Sequence, residues 1–272
     1  MESITLEGNL VSAISPEGLT ATIPIQDLFQ LAAPPRMDTC GVVLPTGSKL
    51  AYSEGPLTVL VHETPPRRYG FKWISTQSRA HYGPATGYRT VNISLPYLVV
   101  LAVFEHGQLS EFNECFFRVA PLESENDALV YPALLNCSRF QPPDGRPLSW
   151  ICTQKLDRSK LLTESDPAVR FRAGFCALMH CLLETGFNYS SEHHEGSSWF
   201  TESTRVDPRV RTIENWETAT AEDPLFVLDV PWLPTGMSVK GVVQRIFKNH
   251  QRRPNRIRSV RDLFRIIFHH SS

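Results

Sequence analysis

Residues 98–104 read Leu-Val-Val-Leu-Ala-Val-Phe, seven apolar positions without a break. A half-exposed strand would alternate in polarity, and an amphipathic helix would repeat every three to four residues. A short unbroken run rich in β-branched residues reads instead as a central strand covered on both faces. Pro96 precedes the run, and His106-Gly107-Gln108 follows it as a hairpin signal. Such a strand needs partners on both edges. Tyr69–Ser75, Tyr88–Leu95 and Leu109–Val119 are the candidates, with Phe71, Trp73 and Tyr88 adding aromatic weight. The expectation is an antiparallel β-meander with helices packed on it, an α+β fold.

Upstream, Ser3–Leu6, Leu10-Val11 and Leu19–Ile25 read as short strands, with Gly8-Asn9 and Ser15-Pro16-Glu17-Gly18 as turns. A short helix is expected from Ile25 to Ala33, stopped by Pro34-Pro35. Cys40–Leu44, Lys49–Tyr52 and Leu57–His62 follow as further strands. Downstream, Asp166-Pro167 is an N-cap followed by proline at the first helical position, and Phe171, Phe175, Leu178 and Leu182 then share a face. Asp207-Pro208 repeats that start signal before Val210, Ile213 and Trp216, Ser238 opens a third helix, and Val260–Phe268 forms a last one. The expected organisation is a β-rich module over 1–65, an α+β domain over 66–205 and a helical extension over 206–272.

With 42% hydrophobic and 20% charged residues and a net charge of -1, the composition is that of a globular chain without a bias toward polyanions. The six cysteines show no C-x-x-C pair, and residues 1–15 lack the basic and apolar regions of a signal peptide. The expectation is a reduced protein of the cytoplasm. The longest apolar run is too short to span a bilayer, so no membrane partner is expected.

The segment Asn136–Leu156 is where strand-like sequence gives way to helix, and it holds a thiol. Cys152 follows Trp150-Ile151, and it reads either as a nucleophile or as a small core residue. Asn136 is either an oxyanion-stabilising amide or the close of a strand. His193 and His194 lie in a polar loop, 188–203, and are either solvated, or supply a base near the thiol, or, as the last of the three readings, bind metal. Cys176 and His180, four apart on one helix, read as helix core in the absence of a second ligand cluster. Between Lys240 and Arg265 there are nine basic residues and one acid, Asp262. That region is either the solvated face of two amphipathic helices or a nucleic-acid contact.

Tyr131-Pro132, Asn136, Gly145 and Ile151-Cys152 follow a meander and precede a long helix. That order resembles ubiquitin-conjugating enzymes. More narrowly it resembles the prokaryotic conjugating-enzyme-like family that includes PRTRC system protein B, through Pro65-Pro66-Arg67, Pro96–Val100, Asn136, Cys152 and the His193-His194 loop. The sequence departs from the family pattern at Leu134-Leu135, where His-Pro is usual, at the insert Pro142–Pro147, and at Thr153. The resemblance implies a ubiquitin-conjugating-enzyme-like fold over 66–205 and a thioester carried on Cys152. It implies Asn136, His193 and His194 as supporting groups, and a ubiquitin-like modifier and an activating-enzyme-like protein as partners. It implies no cofactor and no metal. The alternatives are a non-catalytic scaffold of the same fold and a nucleic-acid-associated factor.

Overall fold

A computed structural model describes residues 3–15, 17–32, 44–74, 89–133, 137–138, 148–153, 156, 161, 166–184, 187–188, 205–251, 264 and 267–268. The chain divides into two compact units, Met1–Arg36 with Ile246–Ser272, and Met37–Arg245.

In the first unit, β1 (Ser3–Glu7), β2 (Leu10–Ile14) and β3 (Thr20–Pro24) form an antiparallel meander, followed by α1 (Ile25–Ala32). The turns use Gly8 and Gly18 at φ of +61° and +83°, where other residues are strained. Three short strands bury too little to stand alone. Val11, Ala13, Ala21 and Ile23 therefore pack against Phe264 and Ile267 from the far end of the chain, with Ile4, Ile25, Leu28 and Phe268 at the margin. The β-rich start of the sequence thus shares its core with the last helical residues, a pairing that local sequence patterns do not reveal.

The second unit contains, in order, β4 (Ser48–Glu54), β5 (Leu57–Thr64), β6 (Arg67–Ile74), β7 (Arg89–Leu95), β8 (Tyr97–Glu105), β9 (Gln108–Leu109), β10 (Glu114–Arg118), β11 (Ala128–Val130), β12 (Cys137–Ser138) and β13 (Trp150–Ile151). There follow α2 (Pro167–Leu183), β14 (Phe187–Asn188), α3 (Ile213–Glu222), β15 (Pro234–Ser238) and α4 (Val239–Gln251), the last of which runs past Arg245. It is a mixed architecture of packed helices and sheets that are antiparallel except where β14 joins β6 in parallel. The large sheet runs β12-β13-β10-β8-β5-β4, with β11 on β10, β15 on β11 and β9 on β8. A smaller sheet runs β14-β6-β7.

The two sheets share one ladder. Thr64 pairs with Leu98 and Arg67 with Leu95, so β5–β6 and β7–β8 continue a single antiparallel register. Pro65, Pro66 and Pro96 sit at the break. Proline has no N–H to donate, so the ladder is interrupted there and the two halves join different sheets. The expected break after residue 65 therefore lies inside this unit, and so does residue 205.

Leu98–Phe104 is the central strand that its sequence demands, with every residue buried. The turn to β9 places His106 and Gly107 at φ of 53° and 73°, the two-residue geometry that suits twisted hairpins. The expected single strand over 109–119 is split, because the Asn113 side chain enters the ladder: Val103 N donates to its Oδ1 at 2.8 Å, and its Nδ2 donates to Ser110 O at 2.7 Å.

Helix α2 begins as expected, with the Asp166 carboxylate accepting from Ala168 N at 2.9 Å. It lies close on the sheet: the Phe171 and Phe104 rings stack at 3.8 Å, and a Cβ on Gly174 would stand 3.3 Å from the Phe104 ring. The Asp207-Pro208 signal opens only a 3-10 turn, Pro208–Val210. Asp207 spends its carboxylate on the Arg209 amide and guanidinium, and Thr212 then caps α3 by accepting from Asn215 N. Helix α3 closes the outer edge of β7. Asn92 N donates to Glu217, Ser94 N donates to Thr220 Oγ1, and the Trp216 indole donates to Ser94 O at 2.9 Å. Side chains thus satisfy an edge that would otherwise be open to pairing.

His62 of β5 is buried between α2 and the turn before β4. Its ring leans on Phe175 at 4.7 Å, and its Nε2 meets Thr64 Oγ1 at 3.3 Å. Gly47, at φ of +93°, abuts it so closely that a Cβ would lie 2.7 Å from Cε1. Burial holds its pKa below the ordinary value, so the native ring is neutral. The unfolded chain takes up a proton below about pH 6.5, while the folded one resists it. Stability from this site is therefore complete above that pH and is lost as pH falls through the folded pKa. Urea unfolding at pH 7.5 and 5.5 should show a larger acid loss for the wild type than for His62→Leu; equal losses would exclude the effect.

Candidate functional site

Cys152 is the first residue beyond β13, a two-residue strand held from both sides. On one side Trp150 pairs with Glu114 of β10, Cys115 N donates to Ser149 O at 3.1 Å, and Ile151 N donates to Asn113 O at 2.9 Å. On the other, Ile151 and Trp150 pair with Cys137 and Ser138 of β12. The Trp150 indole donates to Glu111 O at 2.6 Å. After the thiol the chain turns, with Leu156 N donating to Thr153 O. Cys152 itself is 7% exposed and Thr153 6%.

One side chain gathers much of this arrangement. The Glu114 carboxylate is 1% exposed, and it accepts from Leu148 N at 2.8 Å, from Ser149 N at 3.4 Å and from Arg245 Nη2 of α4 at 2.5 Å. A buried carboxylate survives only when its charge and lone pairs are met, and here a cation and two amides meet them. Sequence reasoning missed Glu114 and Arg245. The available signal was an acid next to Cys115-Phe116-Phe117, in a strand otherwise bound for the core.

Two further thiols lie nearby in sequence or pairing. Cys115 and Cys137 are both buried, and burial, reinforced by the neighbouring Cys137 thiol, pushes the Cys115 pKa well above its ordinary value. That makes Cys115 a poor nucleophile, because the thiolate is the reactive form. Cys176 and His180 do not form helix core. Both are exposed on α2, and His180 Nδ1 meets Glu184 Oε2 at 2.7 Å, while Cys181 is the buried member of the group. The core stripe of α2 runs through Phe171, Phe175 and Leu178, and Cys176 and His180 sit off that stripe.

Asn136, His193 and His194 lie outside the described residues. In the basic region, Lys240 pairs with Glu125 at 2.6 Å and Arg245 with Glu114, so two of its cations are engaged by carboxylates. Among the described residues no cluster of histidine, cysteine and carboxylate side chains could hold a metal ion. Among them, too, no helix is long and apolar enough to cross a membrane. No protein-family model matches the chain, and neither does any curated protein or solved structure.

Proposed function

We propose that the chain is a bacterial, cytoplasmic acyl carrier of the ubiquitin-conjugating-enzyme-like kind, with Cys152 as the acceptor thiol. The observation that carries this reading is the position of Cys152. It stands at the end of a short strand at one side of an antiparallel sheet, and the next long helix, α2, packs on that sheet. The Cys152 thiolate attacks the carbonyl of a ubiquitin-like modifier held as a thioester on an activating-enzyme-like partner. The new C–S bond forms as the partner's thiolate leaves, and an amine then displaces Cys152 with loss of a proton. Asn136 serves as an amide donor to the oxyanion, and His193 or His194 handles the proton, as the resemblance implies.

A second reading is favoured by the 7% exposure of Cys152: a non-catalytic scaffold that keeps the fold for docking. One comparison separates the two. The protein is incubated with its genomic neighbours and ATP, then run on non-reducing and reducing gels. A carrier gives an adduct that thiols remove, that Cys152→Ala abolishes, and that Cys152→Ser converts to a thiol-resistant form. A scaffold gives none of these.

A further inference from the structure

We infer that Glu114, with Arg245 as its counter-ion, is the positioning residue for Cys152: it holds the chain before the thiol against β10, and its release uncovers the thiol. The inference deepens the acyl-carrier reading and rests on it for its biological meaning. A carrier thiol must meet a macromolecular donor, yet Cys152 is 7% exposed. The strand that leads into it is only two residues long, with one paired position and two flanking backbone hydrogen bonds toward β10, so its own ladder is short. What strengthens it is the carboxylate of Glu114, which takes the amides of Leu148 and Ser149, and that carboxylate is neutralised from α4 by Arg245. Loss of either partner leaves a buried charge unmatched, and the segment 148–152 is where the structure yields. Opening of this kind is local and need not disturb β8 or β10.

The test is site-resolved alkylation of the full-length, reduced protein with iodoacetamide, read by peptide mass spectrometry. Cys176, which is exposed, reports the reagent, and Cys115, at 0% exposure, reports global unfolding. Arg245→Ala and Glu114→Gln should raise Cys152 labelling roughly tenfold or more beyond any rise at Cys115 that lost global stability brings. Arg245→Lys, which retains the charge but loses the fork, should fall between. Cys152 labelled at the wild-type rate in both variants overturns the inference, and so does a rise of Cys152 no larger than that of Cys115. If a variant does not fold, the wild type decides: increasing urea should open Cys152 before Cys115, and coincident labelling contradicts the inference. The gel comparison is independent of this result. Labelling as expected without any adduct removes the carrier reading alone, and an adduct with unchanged labelling removes this inference alone.

Discussion

Trp216→Ala is expected to destabilise the larger unit by about 3–5 kcal/mol, the usual range for deleting a large buried aromatic. Trp216 is the largest fully buried side chain among the described residues, and it does two things at once. Its ring lies 5.6 Å from Trp232, which in turn packs edge-on against Phe117 of β10 at 5.2 Å. Its indole N–H occupies Ser94 O on the outer edge of β7. Alanine leaves a cavity and an unmet carbonyl together. Trp216→Phe keeps most of the volume and loses only the hydrogen bond, so it should cost about 1–2 kcal/mol. Denaturant titration of both variants checks the ordering. Equal losses would mean that packing and hydrogen bonding are not separable at this position as described.

Glu114→Ala is the second large effect, also about 3–5 kcal/mol, because it strands the Arg245 guanidinium and two backbone amides in the interior. Arg245→Ala should destabilise in turn, by leaving the carboxylate without its cation. The double variant should lose less than the two single losses combined, since the second substitution removes a charge that the first left unmatched. Simple additivity in the unfolding free energies would rule out the direct pairing as the source of the stability.

The parts of the fold legible in the sequence are those set by local physics. Leu98–Phe104 is readable because only a doubly covered strand tolerates seven consecutive apolar residues. His106-Gly107 and Asp166-Pro167 are readable because positive φ and helix N-termini demand particular residues. The prolines at 65, 66 and 96 are visible as interruptions, but the sequence does not say that the same ladder resumes beyond them. That depends on register between strands separated by a long connection. The joint core of Val11, Ala13, Ala21 and Ile23 with Phe264 and Ile267 spans nearly the whole chain, and no local pattern encodes it. Asp207-Pro208 misleads because an aspartate can cap a helix or hold the next arginine, and here it holds Arg209.

The candidate site divides in the same way. Cys152 stands out in sequence because a thiol sits where strand-like sequence ends, and the structure gives it a defined setting after β13. The ion pair of Glu114 with Arg245 stands 131 positions apart along the chain and could not be paired by inspection. It nonetheless supports the segment leading to the thiol, alongside the Trp150 indole on Glu111 O. Asn136, His193 and His194 enter the proposal through resemblance, and Cys152 enters it through resemblance and position together.

The most direct measurement is intact-mass spectrometry of the protein after incubation with ATP and the products of its neighbouring genes. A thioester on Cys152 gives a mass increase equal to one ubiquitin-like modifier less water, reversed by hydroxylamine or excess thiol and absent in Cys152→Ala. An unchanged mass in the wild type, or the same adduct on Cys152→Ala, would contradict it.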